Sequence, residues 1–169
     1  MVSPEMMTVK IRIPHWSKEN ILTINNEPVS EIIPGNYTEI KRNWSAKDKI
    51  SLQPDMRARL VMTETDKFHA AIQRGPIVLV RDTRLPDTDL GITMTPVLNA
   101  AGYIELSPAD TGTDNIWMSY SASFLPESYS EIPAGPVSVY LCDYASAGNG
   151  KERSTYAVWM PQLFDAQKH

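Results

Sequence analysis

Short runs in which apolar and polar residues alternate dominate this chain. In Val9-Lys10-Ile11-Arg12-Ile13 the apolar side chains face one way and the charged ones the other, the pattern of a half-buried strand that Pro14 ends. A strand at Ile21–Ile24 runs into Asn25-Asn26, residues that tolerate the positive φ of a tight hairpin. Gly35-Asn36 turns the chain into a strand at Tyr37–Arg42, and Asp48 marks a turn before Ile50-Ser51-Leu52. Arg57–Met62 alternates again, with Ala58, Leu60 and Met62 on one face. Residues 68–73 read as a strand closed by Gly75-Pro76. Ile77-Val78-Leu79-Val80 is continuously apolar, as expected of a strand buried on both faces. Further strands are expected at Val97-Leu98, Tyr103–Leu106, Ile116–Tyr120, Val137–Leu141 and Thr155–Met160. Connecting loops are expected at 82–91, 107–115, 121–136 and 145–154.

This makes about ten or eleven strands at roughly 8–15-residue spacing with no convincing amphipathic helix, so an all-β, mostly antiparallel β-sandwich of jelly-roll-like type is predicted. Two abutting lobes are expected, one at 1–90 and one at 91–169. The 13 prolines argue against long helices, because proline in a helix interior loses a hydrogen bond and clashes with the preceding turn.

Composition narrows the chemistry. The 169 residues carry 16 basic and 20 acidic side chains, a formal charge of −4 that offers no electrostatic footprint for nucleic acid. No apolar run approaches the roughly 18 residues of a membrane span, and no signal peptide is visible at Met1–Lys10. The single cysteine excludes an internal disulfide and a zinc site built from two thiolates of this chain. Cys142, at a strand end beside Asp143, reads as a small buried residue, because a nucleophilic thiol needs a nearby cation or helix N-terminus. His15, His69 and His169 have no acid or nucleophile beside them in the sequence that marks a catalytic pair. Asp87-Thr88-Asp89 and Asp110–Asp114 lack the ordered ligands of a calcium loop and read as solvated acids. Asn36-Tyr37-Thr38 and Asn43-Trp44-Ser45 are formal glycosylation sequons. Catalytic residues and metal ligands are therefore expected to be absent. The aromatics, led by Trp16, Trp44 and Trp117, are the candidate carbohydrate-binding residues, as a stacking platform for sugar rings. Set against that, Trp44 and Trp117 lie within or beside alternating strands, where a large ring usually fills the core.

Several ordered phrases resemble the C-terminal β-sandwich region of glycoside hydrolase family 127, the β-L-arabinofuranosidase group. They are Ile11-Arg12-Ile13-Pro14-His15-Trp16, the hairpin Ile24-Asn25-Asn26-Glu27, and Gly35-Asn36-Tyr37 with Ile40, Arg42 and Trp44, which carries Asn36 as an extra residue. Lys47-Asp48 stands at the family's Gly-Asp turn, and Leu52–Met56 is a looser match to its Leu-Pro-Met. Ala71–Val78, Asp143–Asn149 and Val158–Pro161 complete the set. The resemblance implies a non-catalytic accessory module that packs against and stabilises an upstream (α/α) barrel of the same polypeptide. It places the cysteine nucleophile, the glutamate acid/base and the cysteine-bound zinc in that barrel, so no cofactor is expected in this chain. It further implies strands upstream of Met1, hence a domain fragment, and a periplasmic or secreted parent. An exposed sheet edge would favour a homodimer of the chain. A carbohydrate-binding module using the exposed aromatics is the alternative.

Overall fold

The computed structural model describes residues 5–127, 135–151 and 153–168. The described residues form strands and turns without a helix, and every strand pairing among them is antiparallel. The predicted all-β, antiparallel class is the observed one. The chain divides into two compact units, Met1–Met56 and Arg57–His169. The boundary expected near residue 90 thus falls inside the second unit.

The first unit holds β1 (Glu5–Arg12), β2 (Ile21–Ile24), β3 (Glu27–Pro28), β4 (Tyr37–Trp44) and β5 (Ile50–Gln53). β1 and β4 pair along their whole length, with Val9 opposite Ile40 and Lys10 opposite Glu39, whose side chains form an exposed ion pair at 2.5 Å. β3, β2 and β5 make a second, three-stranded sheet. Asn25 and Asn26 occupy left-handed backbone at φ 53° and 70°, the geometry a two-residue hairpin demands and the sequence anticipated. Asp48 fixes the neighbouring turn by accepting hydrogen bonds from Ser45 N and Asn25 Nδ2. Ile13, Leu22, Ile24 and Trp44 are buried in this unit.

The second unit holds β6 (Ala58–Val61), β7 (His69–Arg74), β8 (Ile77–Asp82), β9 (Met94–Pro96), β10 (Ser107–Pro108), β11 (Ser119–Pro126), β12 (Val137–Asp143), β13 (Tyr156–Ala157) and β14 (Met160–Pro161). They form one curled sheet whose spine runs β10-β11-β12-β8-β7-β14. Gly75, at φ 58°, lets the β7–β8 hairpin close in two residues. Period-two positions supply the main core: Leu60, Ala70, Ile72, Leu79, Ala122, Phe124, Val139 and Leu141 pack together. Val80 and Cys142 face the other way, against Leu85, with Val78 and Ile116 beside them. β8 is therefore covered on both faces, as its continuous apolar run predicted.

Four segments differ from the sequence reading. The strand expected at Val97-Leu98 is β9, just before it. Tyr103–Leu106 reduces to one bridge, Ile104 to Ala58. Of the expected Ile116–Tyr120 strand only 119–120 is strand, and β11 runs on from there through 126, into the expected 121–136 loop; residues 128–134 of that loop lie outside the described residues. The last strand splits into β13 and β14, because 158–159 bend between two different partners, β8 and β7.

Candidate functional site

Strand ends β8 and β12 carry three buried charged residues: Arg81, Asp82 and Asp143. A bare buried charge is costly, so each must be compensated. Arg81 donates from its guanidinium to the carbonyls of Ile92 and Asp89, tying down the 83–93 loop. Burial lowers its pKa. Asp82 receives a forked pair from Arg84, Nε at 3.1 Å and Nη2 at 2.9 Å, and the backbone N–H groups of Arg84 and Gly148, each at 2.9 Å. Burial pushes the Asp82 carboxyl upward, but the Arg84 and Gly148 hydrogen bonds outweigh it and hold it below the usual carboxylate value. Asp143 accepts from Met118 N, Ser146 N and Ser146 Oγ at 2.8–3.0 Å. Ser146 Oγ in turn accepts the N–H of Trp117 at 3.0 Å.

Arg84 connects the three loops of this end. Besides Asp82, its Nη2 donates to Ser146 O at 2.7 Å and its Nη1 reaches Asp114 O at 3.5 Å. Thr113 Oγ1 donates to Arg84 O at 3.4 Å. The phrase Asp143–Asn149 is thus a tight series of turns. Gly148, at φ 68°, lies where a Cβ would meet Tyr156 Cε1 at 3.0 Å, and Tyr156 meets Tyr144 edge-on at 5.8 Å between ring centroids. A cleft of about 260 Å³ opens beside this network, lined by Arg84, Thr113, Asp114, Asn115, Gly150 and Lys151. A larger groove, about 660 Å³, lies elsewhere in the unit along Pro96, Val97, Leu98, Leu125 and Phe164, and its polar side chains are Asn99 and Gln167. The smaller cleft has the richer chemistry, and it is the candidate site.

The three candidate tryptophans are divided. Trp16 is half-buried in the first unit. Trp44, 8% exposed, fills that unit's core, donates its indole N–H to Met7 O at 3.0 Å and has the Arg42 guanidinium 5.1 Å from its ring, the packing their two-residue spacing permits. Trp117 does the opposite of what its alternation suggested. It precedes β11, stands 79% exposed and follows Asn115, whose left-handed backbone (φ 59°) turns the loop. Sequence reasoning missed Arg84, Asn115 and Lys151; the left-handed Asn115 in Asp114-Asn115 was the readable turn signal.

The remaining candidates are local. His69 Nδ1 lies 2.7 Å from Asp66 Oδ2 on an exposed turn, an acid partner the sequence reading did not find. His15 is exposed, and His169 lies outside the described residues. Asp89 and Asp110 each accept the N–H two residues on, from Gly91 and Gly112. Burial first, then the charges of Asp82 and Asp143, push the Cys142 thiol up to about 12, which keeps it protonated and inert at neutral pH.

A family model, the GH127 middle domain of β-L-arabinofuranosidase, matches residues 2–56. Among solved structures, a GH127 β-L-arabinofuranosidase from Geobacillus stearothermophilus T6 is 21% identical with a TM-score of 0.71, over 95% of this chain and 27% of its own. A GH127 β-arabinofuranosidase is 21% identical with a TM-score of 0.68, over 94% and 28%. A protein described as a glycoside hydrolase is 24% identical with a TM-score of 0.66, over 93% and 28%. No curated protein matches. The chain therefore spans little more than a quarter of the length of these structures. Residues 2–56 match the GH127 middle-domain model, and the chain as a whole shares the fold of those glycoside hydrolases, to which it is similar.

Proposed function

We propose that this chain is a non-catalytic accessory module of a GH127-type glycoside hydrolase, packing against a helical catalytic barrel of the same polypeptide and stabilising it. The observation that carries this reading is the middle-domain match at residues 2–56 within a fold that accounts for about 27–28% of the glycoside hydrolases it resembles. The chemistry of the described residues supports it. Asp82 is committed to Arg84 and Gly148, Asp143 to the backbone of two loops, and the Cys142 thiol is held protonated. Among the described residues the buried carboxylates Asp82 and Asp143 are spent on holding loops at the strand ends, and the buried thiol of Cys142 stays protonated at neutral pH. In this reading the nucleophile, the acid/base and any zinc belong to the barrel.

The coding sequence immediately upstream of Met1 tests the proposal. A helical-barrel segment bearing a cysteine cluster is the expected result. An in-frame stop codon directly before Met1 would overturn it.

A further inference from the structure

β1 carries an edge that the chain's own strands leave open. Among the described residues it pairs with β4 along all eight of its residues and with no other strand. A strand usually runs to about 5–6 residues, and a two-stranded ribbon by itself is marginally stable in water. Within β1 the devices that normally blunt such an edge are missing. Its register runs from Glu5 to Arg12 without a bulge or a proline. Lysine often guards an edge, but Lys10 reaches across the ribbon and pairs with Glu39. Met6 and Met7 stand 59% and 48% exposed at its start.

The direction of the backbone groups along this edge is fixed. Ile13 N donates to Asn36 O at 2.9 Å, one step beyond the Arg12–Tyr37 pair, so Ile13 bonds toward the strand that leads into β4. Hydrogen-bonded and non-bonded pairs alternate along an antiparallel ladder. Met7, Val9 and Ile11 therefore bond toward β4, and the N–H and C=O groups of Met6, Thr8, Lys10 and Arg12 point out along the open edge.

That edge is complementary to itself. Laid antiparallel on a second copy about a two-fold axis at Val9, Thr8 meets Lys10, Met6 meets Arg12, Met7 meets Ile11 and Val9 meets Val9. The outward groups then face one another and exchange about eight hydrogen bonds. Met7, Val9 and Ile11 meet apolar partners on one face, and no cation stands directly opposite another. An axis at Lys10 would set Lys10 against its own copy, and like charges directly opposite destabilise a sheet. An axis at Thr8 would leave Arg12 without a partner in β1. An axis between two residues would set outward groups against inward ones, so no ladder would form.

We propose that two copies of this chain join edge to edge through β1, making one continuous sheet in the order β4-β1-β1-β4 with its two-fold axis at Val9. The interface is isologous, so it closes at the dimer and leaves the outer edges on the two β4 strands.

The test is sedimentation equilibrium of the 169-residue chain from about 5 to 500 µM, combined with cross-linking. The mean mass is expected to rise toward twice the monomer value and no further. Thr8→Pro removes an outward N–H and leaves the ladder to β4 in place, so it should hold the chain monomeric with its circular dichroism unchanged. Val9→Cys should give a disulfide-linked dimer under mild oxidation, because a non-bonded pair brings the two Cα atoms to about 4.5 Å, within disulfide reach. The native Cys142 is buried and stays silent. Tyr37→Cys, exposed on β4, should not cross-link under the same conditions. Met6 lies opposite the neutral Asn43 in its own chain and opposite Arg12 of the copy, so Met6→Glu should dimerise about fivefold more tightly than Met6→Lys. A monomer throughout the concentration range would overturn the proposal and leave the β1 edge to a strand from elsewhere in the polypeptide or from another protein. A dimer that Thr8→Pro leaves intact, or that Val9→Cys fails to trap, would overturn it as well. Equal affinity of the two Met6 variants would overturn the register. None of these results bears on the accessory role, which the upstream coding sequence decides separately.

Discussion

Asp82→Ala removes the acceptor at the centre of the loop network. The wild-type carboxylate is fully buried and the Arg84 side chain is 13% exposed, so their forked pair is screened little by solvent. Losing one member of a buried pair costs about 3–5 kcal/mol, because the surviving charge keeps its desolvation penalty. Arg84 retains Ser146 O and Asp114 O as acceptors, which places the expected loss near the lower end, about 3 kcal/mol. For a unit of this size that corresponds to a fall of roughly 12 °C in melting temperature. Asp82→Asn keeps the shape and one acceptor and should lose about half as much. In the double variant Asp82→Ala/Arg84→Ala the stranded charge is gone, so the combined loss should be smaller than the sum of the two singles. The pH dependence has a definite sign. Asp82 is held below its ordinary value of 3.8, so its stabilisation is present above that value and is lost as pH falls through the lowered one. Asp82→Asn should flatten this acid limb. Urea unfolding followed by circular dichroism measures all of these. A loss in Asp82→Ala within about 0.5 kcal/mol of zero, the range of an ordinary surface change, would refute the network's role.

Further outcomes follow from other parts of the structure. Phe124, fully buried in the main core, should cost about 3–5 kcal/mol when changed to Ala, read from the same urea curves; a loss under about 1 kcal/mol would contradict the core assignment. Cys142 should resist thiol reagents in the folded chain at neutral pH and react fully in denaturant, and rapid native labelling would show that it is neither buried nor raised. Its pKa is raised from 9.0 to about 12, so its contribution to stability is complete below pH 9 and is lost as pH climbs toward 12. Among the described residues β1 and β4 pair only with each other, and Met6, Met7 and Tyr37 on them are exposed, so the chain alone should self-associate as concentration rises. Sedimentation showing a clean monomer at high concentration would count against that.

Much of this fold can be read from the chain because local chemistry and tertiary context agree. Asn25-Asn26 and Gly75-Pro76 specify hairpins through backbone preferences alone, and Ile77–Val80 is apolar throughout because both its faces are covered. β11 was harder to see. Its serines at 119, 121 and 123 look like loop composition, yet they alternate with Tyr120, Ala122 and Phe124, two of which are buried in the core. Nothing in the 82–91 loop reveals that β8 pairs forward with β12 and β13, across the lobe boundary expected there. The candidate site was legible only in part. Arg81, Asp82 and Asp143 look like solvated strand ends, and their burial depends on partners far apart in sequence, such as Gly148 for Asp82 and Met118 for Asp143. Trp117 fits an alternating strand by spacing, but the strand starts two residues later, past the turn at left-handed Asn115, and the ring stands exposed.

The central claim is that this chain supports catalysis carried out elsewhere, and its most direct test is turnover. The purified chain is incubated with an aryl arabinofuranoside, in parallel with Asp82→Asn, Asp114→Asn and Asp143→Asn variants. The account predicts no release of the aryl group above the uncatalysed rate by any of them. Release by the unmodified chain that one of these substitutions abolishes, with the fold intact, would contradict it.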